Sequence, residues 1–165
     1  MSNNGFQNRD RLNIALGGMA RAVRPQITRV MRQAGLVLEN EAAQSIIDPP
    51  KTGRIYKSKH RKGGMHQASA PGENPAADSG RLHQSITTVV VQNDDSAIVV
   101  QTAANTPYAT RLEYGGSHTA PNGATVHIEP RPYMRPAYVN NRERIKDMIV
   151  LAAAQAIRKH GKGSK

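Results

Sequence analysis

Histidines and acids are where chemistry would show first. The chain holds six histidines, His60, His66, His83, His118, His127 and His160. None stands at a zinc-motif spacing from another or from an acid. His118 and His127 are nine apart, on a loop and a strand. The six read as scattered surface residues. Glu39 and Glu41 fall in a helical stretch and point to different faces. Asp94 and Asp95 lie in a turn cluster, where aspartate serves backbone geometry. Neither pair resembles a general acid–base dyad. Ser79 and Ser85 lack a nucleophile elbow, and "SAPGENPA" lacks the spacing of a phosphate loop. The expectation is a protein without catalysis, cofactor or metal.

The remaining chemistry is charge. Twenty-three Lys and Arg against 12 Asp and Glu leave a net charge of +11, which favours nucleic acid or an acidic protein surface as partner. The run "KTGRIYKSKHRKGG" concentrates that charge in Lys51, Arg54, Lys57, Lys59, Arg61 and Lys62, with no acid among them. Tyr56 within it is available for stacking on a base. The run reads equally as a solvated loop. "DSGRL" at 78–82 is a turn, with Asp78 or Ser79 capping and Gly80 supplying positive φ.

A chain of 165 residues suits a single domain, 1–165. Six aromatic side chains and no Trp make a thin core, so part of the chain is expected to gain order from a partner. Without cysteine there are no disulfides. No apolar run reaches the ~18 residues of a membrane span, and the polar start lacks a signal-peptide centre. These features predict a soluble protein made in the cytoplasm.

The elements follow from periodicity. Residues 1–14 read as flexible, and a helical pattern emerges near Ala15. It is clear from Pro25 to Ile47, with Ile27, Val30, Met31, Ala34, Val37, Leu38, Glu41, Ala42 and Ser45 on one face. Arg29, Arg32, Gln33 and Asn40 take the other face. Pro25 opens the helix or kinks one that starts earlier, and Asp48-Pro49-Pro50 stops it. Residues 49–80 lack periodicity and read as an extended loop or arm that is disordered or orders against a partner. Ser85–Gln92 and Ala97–Thr102 form a hairpin about "NDDS". Pro107–Gly116 reads as a short helix ending at glycine, and Ser117–Ala124 as a loop. Val126 to Arg135 alternates, with an even face buried and an odd face charged; Pro130 and Pro132 make it an edge strand. A helix follows from Pro136 to about Lys159, with Ile145, Met148, Ile149, Ala152, Ala153, Ala156 and Ile157 as its apolar stripe, and 160–165 as a frayed tail. The fold class is α+β: a long N-terminal helix, a small antiparallel sheet of three to five strands with a long basic arm, and a C-terminal helix packed on the sheet.

Taken in order, "KTGRIYK", "HQASAPGENPAADSGRLHQSI", "PYATRLEYGG" and "PRPYMRPAY" resemble a family of small tailed-bacteriophage proteins of the neck and proximal tail, described as tail-completion, minor tail or head–tail joining proteins. The family pattern is an ASAPGE-P-A stretch, a TGRL-x-x-SI turn into a strand, a YA-x-x-x-E-[FY]-G segment, and RP-[FY]-x-x-PA opening the last helix. The likeness runs from Thr52 to Ala137. Ser79 stands where threonine is common and Tyr133 where phenylalanine is common. The resemblance implies a homo-oligomeric ring in the virion, six-fold on the tail side, between head connector and tail tube. Its neighbours would be connector and tail-tube or terminator proteins, with DNA passing through a central channel and no catalysis. The candidate contact residues are Lys51, Arg54, Lys57, Lys59, Arg61 and Lys62 of the arm, with Arg131, Tyr133 and Arg135. Glu113 is expected to pair with Arg131 or Arg135. Phenylalanine at the family's Tyr133 position implies burial, while strict alternation points Tyr133 outward. A bend at the strand-to-helix junction reconciles the two by turning Tyr133 inward.

Overall fold

The computed structural model describes residues 4–48, 51–60 and 62–161, with side chains from residue 20 to 160. The fold is α+β, as the periodicities predict. Helix α1 runs Asn4–Ile47 with Pro25 inside it, so the helix starts well before proline and most of the expected flexible N-terminus is helical. The Thr28 hydroxyl donates to the Arg24 carbonyl at 3.0 Å beside that proline. The face expected to be apolar is mostly the shielded one: Ala34 and Ala42 are buried, but Glu41 is exposed, as are Arg29, Arg32, Gln33 and Asn40 opposite.

Residues 51–80 depart from the expected arm. Strands β1 (Ile55–Lys57) and β2 (Met65–Gln67) pair antiparallel, with Ile55 opposite Gln67, Tyr56 opposite His66 and Lys57 opposite Met65. Three-residue strands are too short to display a period. Helix α2 (Arg81–Gln84) follows Gly80, whose φ of 80° bears out the "DSGRL" turn, with the Arg81 N–H donating to the Ser79 hydroxyl at 3.4 Å. Strands β3 (Ile86–Asn93) and β4 (Ile98–Ala104) form the expected hairpin. Asp94 shapes its turn by accepting from the Ser96 and Ala97 N–H groups at 2.8 and 3.1 Å.

Helix α3 spans Ala109–Tyr114. Strands β5 (Gly116–Thr119) and β6 (Thr125–Ile128) pair antiparallel, where a loop was expected before a longer strand. β6 ends at Ile128 because Pro130 and Pro132 cannot donate to a ladder. Its even face is not buried: Val126 is 39% exposed. Helix α4 runs Met134–Gly161 with Pro136 in its first turn; the rest of the expected frayed tail lies outside the described residues. The three hairpins remain three separate two-stranded sheets rather than one sheet.

The chain gathers into two compact units. The first comprises Met1–Ala34, Val90–Val100 and Glu143–Lys165. Among the described residues its buried apolar side chains are small, Ala34, Ala152 and Ala156. The tip of the β3–β4 hairpin is tied to α1 by Arg24–Asp95 at 2.7 Å and by the Thr28 hydroxyl to Asn93 at 3.3 Å. Ile157, expected within the apolar stripe of α4, is exposed. The second unit comprises Gly35–Val89 and Gln101–Arg142. Ala42, Ile46, Leu82, Ile86, Ala109, Tyr133 and Ala137 form its core.

Candidate functional site

The residues singled out from the sequence fall in two places in the second unit, the α3–α4 junction and the segment that carries β1–β2. The junction is built on missing donors. Pro130, Pro132 and Pro136 carry no N–H. Between the first two only Arg131 has one, and it donates to the Leu112 carbonyl at 2.6 Å. Gly115 permits this close return beside α3. Its φ of 76° and ψ of −176° belong to a region that only glycine occupies readily, and a Cβ there would lie 2.9 Å from the Pro130 ring and 3.0 Å from the Ile128 carbonyl.

Three N–H groups remain between Pro132 and Pro136, and all three donate to one carboxylate. Glu113 Oε2 accepts from Tyr133 and Met134 at 2.9 and 3.0 Å, and Oε1 accepts from Arg135 at 2.8 Å. An anion at a helix N-terminus satisfies orphan donors and meets the positive end of the macrodipole. Charge-assisted bonds of this kind contribute about 1.5–3 kcal/mol each. The expected pairing of Glu113 with Arg131 or Arg135 is thus replaced by a backbone cap. Arg131 instead donates from Nε to the Ser69 carbonyl at 3.3 Å and from Nη1 to the Glu129 carbonyl at 3.0 Å. Arg135 is exposed.

Tyr133 is 1% exposed, so the strand-to-helix bend does turn it inward. Burial pushes its hydroxyl up to about 12, reinforced by the negative charge of Glu113 and by Tyr108. Tyr133 is therefore a core residue rather than a contact residue.

The "SAPGENPA" loop packs on the same junction. Gly72 N–H donates to the Pro130 carbonyl at 2.9 Å, and Asn74 Nδ2 to the Pro132 carbonyl at 3.0 Å. Glu73 gathers the Thr52 hydroxyl at 2.6 Å, the Thr52 N–H at 3.0 Å and the Ala70 N–H at 2.9 Å. These bonds, the Thr52 hydroxyl foremost, hold its carboxyl below the usual range. Gly53 is required here, since a Cβ would meet the Ala68 carbonyl oxygen at 2.6 Å. Thr52, Gly53, Glu73 and Asn74 went unremarked in the sequence as site residues. The available signal was that Glu73 is the sole acid between positions 49 and 77.

A cavity of about 350 Å³ borders the loop, with Tyr56, His66, Asp78, Arg81 and Arg131 among its lining. His66 is buried with Nδ1 4.0 Å from Asp78, contrary to the expectation of a surface histidine. The Ser58 hydroxyl donates to the same Asp78 oxygen at 2.5 Å and accepts the His60 N–H at 3.0 Å. Among the described residues no three His, Asp or Glu side chains come together as metal ligands would.

The basic residues divide. Lys51 donates to the Ser45 carbonyl in the last turn of α1 at 2.9 Å. Burial lowers its ammonium pKa against the opposing pull of Glu73 and Asp48. Arg54, Lys57, Lys59 and Lys62 are exposed, and Arg61 lies outside the described residues. A second exposed surface flanks the junction, a groove of about 570 Å³ lined by Tyr114, Pro130, Pro132, Arg135, Pro136 and Val139.

No family model matches the chain, and no curated protein or solved structure does so either.

Proposed function

We propose that the chain is a structural virion protein of a tailed bacteriophage. It forms a ring at the neck or proximal tail, completes the tail and joins it to the head connector around the DNA channel. It acts by complementary surfaces rather than catalysis. It is made in the host cytoplasm and resides in the particle. The observation that carries this reading is the convergence of the four family-like segments. Thr52 and Gly53 of the first meet Ala68 and Glu73 of the second, and Gly72 and Asn74 meet the prolines of the fourth. Glu113 of the third caps the helix that the fourth opens. Segments that resemble a family in order and also depend on one another in space support a likeness of fold rather than of composition.

A ring requires two different surfaces on each copy. One candidate in the second unit is the groove whose rim carries Tyr114 at 72% exposure. The test is the particle itself. Cryo-EM of the neck is expected to show this chain as a ring. A stable monomer that is absent from purified particles would overturn the proposal.

The alternative, a small basic nucleic-acid-binding module, is favoured by one feature of the first unit. A groove of about 730 Å³ there is lined by Arg29, Lys159, Gln26, Gln33 and Gln155 without an acid. That reading requires tight binding of the monomer to duplex DNA, falling steeply with salt. Arg29→Ala together with Lys159→Ala would reduce the salt slope by about 2.

A further inference from the structure

The pairing register of β1–β2 sorts its side chains onto two faces. Tyr56 and His66 share one face, Ile55, Lys57, Met65 and Gln67 the other. The first face is covered in part from within the chain, Tyr56 staying 41% exposed. His66 is buried beside Asp78, and the Tyr56 ring meets the His66 ring edge-on at 5.2 Å between centroids. The second face is bare. Ile55 is 56% and Met65 60% exposed, and their register makes them diagonal neighbours within side-chain reach.

Charge accompanies that apolar pair. Lys57 shares its face, and Arg54, Lys59 and Lys62 are exposed in the adjoining residues. No acid occurs from position 51 to 72, and the two that follow are engaged internally, Glu73 by Thr52 and Ala70, Asp78 by Ser58. The face therefore presents two large aliphatic groups in a segment whose exposed charges are all of one sign.

We infer that the outer face of the β1–β2 hairpin docks on an apolar surface rimmed by acids on a different protein. The inference rests on the assembly role proposed above and names the chemistry of one neighbour. Charge complementarity selects the partner. A second copy of a chain carrying +11 would bring like charge to this segment. Nucleic acid would satisfy the cations but not the aliphatic pair, because phosphate contacts need only donors and charge. Tyr56, the residue suited to stacking on a base, lies on the opposite face from that pair.

The test uses the purified full chain and three probes: a 12-residue peptide alternating glutamate and leucine, hexaglutamate of equal charge, and a 20-base-pair duplex. Ile55→Ser combined with Met65→Ser is expected to weaken the alternating peptide about tenfold. Hexaglutamate and the duplex should change by less than about twofold, since their binding is electrostatic. Lys57→Glu combined with Lys62→Glu should weaken all three. Circular dichroism confirms that each exposed-site variant is folded. An alternating peptide unaffected by the serine pair overturns the inference, as does a duplex weakened as much as the peptide. So does self-association in sedimentation that the serine pair abolishes, which would make the occupant a second copy. The ring is tested separately by the presence of the chain in particles, so either idea can fail alone.

Discussion

At the α3–α4 junction and on the β1–β2 hairpin basic side chains do opposite things, with an acid among them only at the junction. At the junction side chains turn to the backbone: Glu113 accepts three N–H groups, Arg131 donates to two carbonyls, and Tyr133 is enclosed. On the hairpin Arg54, Lys57 and their neighbours face outward. The difference lies in the prolines. Three of them at the junction remove donors, so the N–H groups that remain are few and buried, and each needs a supplied acceptor. The hairpin has none, its short strands satisfy one another, and its side chains stay available. The most distinctive motif in the sequence therefore encodes how the backbone is satisfied. The least patterned stretch carries exposed basic side chains.

The sharpest way to break that contrast is to empty the junction. Tyr133→Ala removes the largest fully buried side chain among the described residues and is expected to cost about 4 kcal/mol in urea unfolding. Tyr133→Phe should cost far less at neutral pH and should differ from the parent in alkali. The folded-state pKa is raised to about 12 from 10.0, so the unfolded chain ionises first. The parent then loses on the order of 2 kcal/mol as pH rises from about 10 to about 12. The phenylalanine variant lacks this contribution. An alkaline limb identical in both proteins would refute the burial of this hydroxyl.

Glu113→Gln comes next, at about 2–3 kcal/mol, because it weakens the helix cap and leaves a backbone donor without its anion. Charge exchange, Glu113→Lys with Arg131→Glu, should not restore stability. Recovery in the double variant would reinstate the side-chain ion pair and reject the backbone cap. Gly115→Ala should cost about 2 kcal/mol through backbone strain and the contact with Pro130.

The Thr52–Glu73 contact gives a smaller effect with a definite sign. Hydrogen bonding lowers the folded-state pKa of Glu73. Its contribution is therefore fully present above the ordinary carboxylate pKa and is lost as pH falls through the folded value. Thr52→Val should lower the urea midpoint at pH 7, and the gap to the parent should close on acidification below about 4. A gap independent of pH would assign the loss to packing instead.

Both long helices are legible in the sequence because a 3.6-residue period persists over many turns, and the β3–β4 hairpin because Val, Ile and Thr flank a turn cluster. β1–β2 and β5–β6 are not, since three or four residues cannot establish an alternation. Glu113 stands out by type, yet its partners are backbone N–H groups, which no residue letter marks. The legible clue was the spacing of Pro132 and Pro136, which leaves three donors between them. His66 misled because a lone histidine on a short, unrecognised strand gives no sign of which face it takes.

Lys51 and Lys57 put the contrast on its finest scale, six positions apart and alike in type. Lys51 closes the end of α1 through the Ser45 carbonyl, where a cation also meets the negative end of the helix dipole. Lys51→Ala should therefore cost about 0.5 kcal/mol. Lys57→Ala should leave the unfolding midpoint unchanged, because its side chain stands on the bare face of the hairpin. Docking should show the reverse, with the acidic alternating peptide weakened by Lys57→Ala and indifferent to Lys51→Ala. Equal effects of the two lysines on both measurements would mean that the segment acts only as a diffuse cloud of charge, with no inner and outer side.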